Sequence, residues 1–137
     1  MKPIMEDLLR QIRKLNKKKL DNIETEYVDD SLDELLVYLR VEEGIHAGAT
    51  YTFRIVFKDD YLESPPDVMC CSDVWHPNMK QNCRVCCNLL KDDWEDGTTL
   101  EGIIATIYCL LENPEFENPL NCDVQEYNYT EEVKRRI

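Results

Sequence analysis

Apolar residues near the start of the chain recur at intervals of three and four, which places them on one face of a helix. These residues are Met5, Leu8, Leu9, Ile12 and Leu15. Basic side chains occupy much of the remaining surface. The spacing predicts an amphipathic helix over residues 4–19.

The middle of the chain has the pattern of a β meander. Between residues 51 and 57, apolar Tyr51, Phe53, Ile55 and Phe57 occupy every second position, which is the period of a strand. Glycines and acidic residues mark the turns before this strand, and a pair of prolines interrupts the chain after it. We predict four antiparallel strands, over residues 23–28, 34–41, 51–57 and 68–71.

Two further helices are expected in the C-terminal half. Thr98 and Glu101 form a capping-box pattern ahead of an apolar repeat of helical spacing, and Asn113-Pro114 ends it. A weaker helix is expected from about residue 122 to residue 135. Residues 72–98 show little periodicity but hold Trp, His and Cys, so we expect a long functional loop. The prediction is one α+β domain over residues 1–137.

Composition and charge limit the function classes. The chain has 137 residues, is 43% apolar and carries a net charge of -12, which argues against nucleic-acid binding. Its longest nearly apolar stretch, residues 103–111, is about half of what a bilayer span requires, so we expect no membrane segment. The N-terminus has no apolar signal region. The seven cysteines are an odd number, and we expect free thiols in the cytoplasm or nucleus.

The charge is divided unevenly along the chain. The first twenty residues carry seven basic and two acidic side chains, a net charge of +5, which leaves -17 on the other 117 residues. Two interpretations stay open. The basic residues are either the solvated face of a helix or a docking surface for an acidic partner.

Three interpretations of the cysteine cluster compete. Cys83 and Cys86 have metal-ligand spacing, and Cys70 or Cys71 with His76 could complete a tetrahedral site. Alternatively, most of the cysteines are small buried residues, among them Cys109 and Cys70. The third interpretation is one nucleophilic thiol, with the Asn78 amide as a donor to a developing oxyanion. His76-Pro77-Asn78 is otherwise a rigid turn.

An ordered series of motifs resembles the ubiquitin-conjugating enzyme family. The resemblance covers residues 4–125 and implies the UBC fold. The series, in chain order, is Tyr51-Thr52-Phe53-Arg54-Ile55-Val56-Phe57, Tyr61, Pro65-Pro66, Val74-Trp75-His76-Pro77-Asn78, Cys86-Cys87-Asn88-Leu89-Leu90, Trp94 and Asn118-Pro119-Leu120-Asn121.

The resemblance implies a catalytic cysteine eight positions after Asn78, which is Cys86. Cys86 would accept a ubiquitin-like modifier from an activating enzyme as a thioester, and a lysine amine would then attack it. Asn78 would support the oxyanion and the loop, while His76 and Pro77 would be structural. No metal or cofactor is implied, since ATP is used upstream.

Within the family, the residues from Cys86 to Trp94, with Pro119-Leu120-Asn121, are most similar to the branch that serves the Rub/Nedd-type modifier. The alternatives are a ubiquitin-conjugating enzyme, a non-catalytic interaction module of the same fold, and a metal-binding domain. By family usage the first helix contacts the activating enzyme. In this chain, the basic residues of the predicted first helix that would make this contact are Arg10, Arg13, Lys14 and Lys17. We expect a monomer.

Among the departures from the family pattern are the lysine-activation position and the ligase-binding loops. Asn118 stands where many members have an aspartate that helps deprotonate the incoming lysine, and Glu117 is its only charged neighbour. In the ligase-binding loops, Glu63 replaces an aromatic residue, and Glu95 and Asp96 replace small residues and proline. Because an aromatic anchor is a frequent interface hot spot, we expect ligase binding of an unusual kind.

Overall fold

The computed structural model describes residues 22–28, 33–61 and 63–137, which form an antiparallel sheet, two helices and a short 3₁₀ helix. The predicted first helix, over residues 4–19, lies outside the described residues. The strands are β1 (Ile23–Tyr27), β2 (Glu34–Arg40), β3 (Thr50–Val56), β4 (Asp67–Cys70) and β5 (Cys83–Arg84). The helices are α1 (Leu100–Glu112) and α2 (Glu126–Arg136), and the 3₁₀ helix covers Asn88–Leu90.

The sheet follows chain order, β1-β2-β3-β4-β5, with every neighbouring pair antiparallel. Side chains alternate between its faces, so Leu35, Val37 and Leu39 of β2 are buried together with Phe53 and Ile55 of β3. This arrangement is of the α+β class, and the predicted meander is confirmed.

The predicted number of four strands is wrong by one. β5 pairs with the end of β4, where Cys83 lies opposite Cys70 and Arg84 opposite Met69. Asn82, just before β5, has a φ of 64°, a left-handed conformation that asparagine tolerates and that turns the chain back. A two-residue strand is too short to show a period of two, which is why the pattern did not reveal it.

Helix α1 packs its apolar face into the main core and begins one residue later than its capping box indicated. Thr99, rather than Thr98, is the N-cap, because its hydroxyl accepts from the Gly102 amide at 3.3 Å. The Thr98 hydroxyl instead donates to the Glu95 carbonyl at 2.6 Å. The buried residues of α1 are Leu100, Ile103, Ile104, Ile107, Leu110 and Leu111.

Cys109 is exposed, so the expectation that it is a buried residue of α1 is wrong. It shares the outward face of the helix with Ala105 and Glu112, which are also exposed. Positions 105, 109 and 112 are separated by four and three residues and therefore lie on one side. Cys70, by contrast, is fully buried, as expected.

Helix α2 begins at Glu126, later than the predicted start near residue 122. The Gln125 and Asn128 side chains form a reciprocal capping box at its first turn. Tyr129 and Val133 of α2 form a second small core with Val124. None of the helices in the described ranges is both long and apolar enough to cross a membrane.

Candidate active site

His76 is fully buried and connects the predicted functional loop to helix α1. Its Nε2 donates to the Leu110 carbonyl at 2.8 Å, and its Nδ1 accepts from the Asn78 amide at 3.0 Å. Both ring nitrogens are therefore occupied by backbone groups. This arrangement holds the loop and leaves no nitrogen available for proton transfer.

A second buried histidine, His46, packs beside His76 with 5.9 Å between the ring centroids. His46 Nδ1 is hydrogen-bonded to the Tyr51 hydroxyl at 2.7 Å, and His46 Nε2 to the Tyr129 hydroxyl at 2.5 Å. Burial lowers the pKa of each histidine to about 4, so both are neutral at pH 7. The pair connects the turn between β2 and β3 with α2 and the active-site loop.

Asn78 joins three segments of the chain. Its side chain is buried, with Nδ2 donating to the Glu115 carbonyl at 2.8 Å and Oδ1 accepting from the Glu115 amide at 2.9 Å. Its own carbonyl accepts from the Cys86 amide at 2.9 Å. Asn78 therefore fixes the backbone of Cys86 to the segment that follows α1.

The same segment is also bound to Pro77. The Pro77 carbonyl accepts from the amides of Leu120 and Asn121, at 2.8 and 3.1 Å. This contact places residues 113–121 beside the His76-Pro77-Asn78 motif. Glu117 and Asn118, the lysine-activation positions implied by the resemblance, are both exposed on this segment. Asn118 has a φ of 53°.

Cys86 differs from its neighbouring cysteines in its surroundings rather than in its exposure, since Cys83 and Cys87 are also partly exposed. Its thiol is partly exposed, and the Lys91 ammonium lies 3.8 Å from its Sγ. Cys87 is half-buried against the main core, and burial raises the pKa of its thiol. Cys83 lies on β5 opposite the buried Cys70. Of these four thiols, Cys86 alone combines partial exposure with a lysine contact.

The proposed metal ligands do not assemble. In the part of the chain that the structure describes, no three His, Cys, Asp or Glu side chains lie close enough together to hold a metal ion. His76, needed to complete the tetrahedron, already has both nitrogens in hydrogen bonds. All seven cysteines are free.

The two ligase-binding loops of the resemblance meet in the structure. The Tyr61 hydroxyl donates to the Thr98 carbonyl at 2.8 Å, and the Tyr61 ring lies 6.2 Å from that of Trp94. This contact joins the loop that carries exposed Glu63 to the loop that carries exposed Glu95 and Asp96. The joined surface is acidic.

Several functional candidates were not identified from the sequence. Lys91, Glu115 and the His46–Tyr129 pair contact the site residues through the folded chain, and no motif or spacing marks them. The basic residues proposed for docking, Arg10, Arg13, Lys14 and Lys17, lie outside the described residues.

The family is defined by a match of the sequence to a family model. Residues 7–136 match the family model of ubiquitin-conjugating enzymes, which is nearly the whole chain. The chain therefore belongs to the ubiquitin-conjugating enzyme family.

Similar curated proteins include NEDD8-conjugating enzymes of yeasts. The NEDD8-conjugating enzyme UBC12 of Kluyveromyces lactis is 35% identical over 115 residues, which cover 78% of this chain and 62% of that protein. UBC12 of Schizosaccharomyces pombe is 36% identical over 90 residues, 66% of this chain and 51% of that protein. The ubiquitin-conjugating enzyme E2 S of Dictyostelium discoideum is 26% identical over 121 residues, 88% of this chain and 56% of that protein. This chain thus spans half to three fifths of the length of these relatives.

Proposed function

We propose that this chain is a transferase that conjugates a Nedd-type ubiquitin-like modifier. Cys86 accepts the modifier from an activating enzyme as a thioester and passes it to a lysine. The observation that carries this proposal is the partly exposed Cys86 thiol, on a residue whose backbone amide donates to the Asn78 carbonyl at 2.9 Å. The similarity to proteins named NEDD8-conjugating enzymes supports the choice of modifier.

The chemistry needs a nucleophilic sulfur and then a good leaving group. The Cys86 thiolate attacks the thioester carbonyl carbon on the activating enzyme, and that enzyme's own thiolate leaves. In the second step a neutral lysine amine attacks the Cys86 thioester, giving a tetrahedral oxyanion. The intermediate collapses to an isopeptide, the Cys86 thiolate leaves, and the amine proton is released.

Asn78 acts first by holding the loop. Its Nδ2 already donates to Glu115, so the second Nδ2 hydrogen is the one that it can offer to the oxyanion. Losing a single oxyanion donor costs enzymes roughly 100- to 1000-fold in rate. Replacing Asn78 would also release the segment that carries Glu115, because the hydrogen bonds between them would be lost.

Activation of the lysine needs help that Asn118 does not supply. An asparagine carries no charge, and Glu117, the nearest carboxylate in sequence, is exposed on the same segment. The deprotonation is therefore supplied by Glu117 or by a partner. A ligase or substrate that brings a carboxylate to this segment would speed transfer.

The distribution of charge along the chain suggests where the activating enzyme and the ligase bind. The basic N-terminal segment, with Arg10, Arg13, Lys14 and Lys17, docks on the activating enzyme. The acidic surface at Glu63, Glu95 and Asp96 binds a basic ligase face. The protein works as a monomer in the cytoplasm or nucleus and needs no cofactor, because ATP is consumed by the activating enzyme.

The proposal is tested by thioester formation with two modifiers. The chain is incubated with ATP and the Nedd-type modifier or ubiquitin, each with its own activating enzyme, and resolved on a non-reducing gel. We expect a reducible adduct with the Nedd-type modifier that Cys86→Ala lacks. No adduct with either modifier on folded protein would favour a non-catalytic interaction module.

Ubiquitin is the second candidate modifier. The relative named ubiquitin-conjugating enzyme E2 S aligns with 88% of this chain, more than the UBC12 proteins do, although at 26% identity. A reducible adduct with ubiquitin alone would assign the chain to that function.

A further inference from the structure

One cation lies next to the proposed nucleophile. Lys91 Nζ is 3.8 Å from Cys86 Sγ, and its side chain is exposed. Among the described residues, no carboxylate forms an ion pair with Lys91. Arg84, two residues before the thiol, is by contrast paired with Asp67 at 3.2 Å. Lys91 is therefore a cation available to the thiol.

The backbone between the two residues places Lys91 beside Cys86. The Leu90 amide donates to the Cys87 carbonyl at 3.0 Å and the Lys91 amide donates to the Asn88 carbonyl at 3.0 Å, which closes the 3₁₀ helix. Leu90 is buried and Cys87 is half-buried against the same core. This short helix turns the chain back, so that Lys91 returns towards the sulfur.

Both steps of the proposed reaction place negative charge on Cys86 Sγ. The sulfur attacks as a thiolate when the modifier is accepted, and it leaves as a thiolate when the lysine attacks. The net charge of -12 on the whole chain opposes this charge. The described contacts of the Asn78 side chain are with the Glu115 backbone, and none of them is with the Cys86 sulfur.

We propose that Lys91 is a further catalytic residue, whose ammonium stabilises the Cys86 thiolate both as nucleophile and as leaving group. This inference rests on the proposed function only for its second role, because thiolate stabilisation can be measured without any partner. The proton balance is simple: Lys91 stays protonated throughout and donates a hydrogen bond to the sulfur, while the thiol proton goes to solvent.

The expected size of the effect follows from the distance and exposure. Two unit charges about 4 Å apart in water interact with an energy that corresponds to about a fivefold change in rate. Because Lys91 is exposed, the aqueous value is the appropriate one, and added salt reduces it. We therefore expect about a three- to tenfold effect at low salt.

The first test measures the alkylation rate of Cys86 by iodoacetamide on the full chain, read by mass spectrometry of its peptide. Lys91→Gln should slow it about three- to tenfold at neutral pH and low salt, whereas Lys91→Arg should keep most of the rate. The exposed Cys109 is an internal reference whose rate should not change. Lys80→Gln is the matched control, an exposed lysine on the same loop.

The salt dependence separates charge from structure. The difference between the unaltered chain and Lys91→Gln should shrink as salt increases, which a purely structural role would not produce. Equal alkylation of Cys86 in both proteins at low salt would overturn the inference. So would a salt-independent difference that Lys91→Arg fails to rescue.

The second test follows discharge of purified thioester to free lysine. Lys91→Gln should slow discharge by a similar factor with little change in the lysine concentration needed for half-maximal rate. Unchanged discharge would overturn the leaving-group role. Absence of any thioester, together with a salt-dependent loss of alkylation, would reject the proposed function but keep the role of Lys91 at the thiol.

Discussion

At the scale of single residues, the site is held by backbone hydrogen bonds. Asn78 contacts Glu115 with both ends of its amide and Cys86 through its carbonyl. His76 is hydrogen-bonded through its two ring nitrogens to the backbone of Asn78 and of Leu110. The motif His76-Pro77-Asn78 therefore positions the thiol by fixing the loops around it.

Replacing Asn78 should destabilise the fold as well as slow transfer. Asn78→Ala removes the two partly buried hydrogen bonds to the Glu115 amide and carbonyl, which should cost about 1–3 kcal/mol of unfolding free energy at roughly 0.5–1.5 kcal/mol for each bond. Urea denaturation measures the change. Asn88→Ala, at an exposed asparagine near the thiol, is the control and should stay within about 0.5 kcal/mol. Equal stability of Asn78→Ala and the unaltered chain would contradict the role of Asn78 in holding the loop.

At the scale of elements, two buried hydrogen bonds through His46 link helix α2 to the sheet. The Tyr129 hydroxyl reaches His46 at 2.5 Å, and His46 in turn reaches the Tyr51 hydroxyl on β3. Burial raises the pKa of Tyr51 to about 12, so its hydroxyl stays protonated. A neutral imidazole offers one donor and one acceptor, so one tyrosine donates to His46 and the other accepts.

Two tyrosines on α2 test this attachment. Tyr129→Phe leaves one nitrogen of His46 buried without a partner and should cost about 1–3 kcal/mol of unfolding free energy. Tyr127→Phe removes a hydroxyl from a side chain that is 82% exposed and should have little effect. Chemical denaturation of both variants gives the comparison. Similar losses in the two would show that the His46 contact contributes nothing specific.

The sequence predicted elements where a long pattern existed and missed features that depend on folding. The alternation from Tyr51 to Phe57 and the apolar repeat of α1 were enough to place those elements. Strand β5 was not predicted, because it is only two residues long. The exposure of Cys109 was not predicted either, because it depends on which face of the helix meets the sheet.

The candidate site likewise has residues that the sequence could identify and contacts that only the folded chain shows. The motif order was enough to select His76, Asn78 and Cys86 as candidates, and their roles remain predictions. The contacts of Lys91 with Cys86 and of Glu115 with Asn78 could not be predicted. The Glu115 contact joins positions 37 residues apart, and only the folded chain brings them together.

At the scale of the whole molecule, the N-terminal segment is basic and the rest of the chain is acidic. Residues 1–20 carry +5 and the other 117 carry -17. An acidic body would repel an acidic partner, so we expect the basic residues 1–20 to direct the approach of that partner.

Charge reversal in this basic segment should slow the loading of the modifier onto the chain. Replacing Arg10, Arg13 and Lys14 with Glu reverses the local field and should reduce the charging rate by the activating enzyme, more strongly at low salt than at high salt. Stopped-flow or quenched charging assays at two salt concentrations measure it. Unchanged charging kinetics would reject the docking role and favour a solvated helix face.

Stability should fall as the pH is lowered below neutral. In the folded protein, His46 and His76 have pKa values of about 4, lowered by burial, against 6.5 for an exposed histidine. The unfolded chain therefore binds more protons between these values, so their contribution is complete above pH 6.5 and is lost as the pH falls towards 4. The loss is about 2 kcal/mol per ring between pH 7 and pH 5.

Urea denaturation at pH 7 and pH 5 measures this loss while most carboxylates remain ionised. In His46→Gln about half of the pH dependence should disappear, since only His76 remains to titrate. A free energy of unfolding that does not change between the two pH values would contradict the burial of both neutral rings.

The most direct test of the central claim asks which thiol carries the modifier. The chain is charged as the unaltered protein, as Cys86→Ser and as the double variant Cys83→Ser with Cys87→Ser, and each adduct is treated with a thiol reductant. We predict a reductant-sensitive adduct on the unaltered protein and on the double variant, and at most a reductant-resistant ester on Cys86→Ser. A reductant-sensitive adduct on Cys86→Ser, or loss of charging in a folded double variant, would contradict the assignment of Cys86.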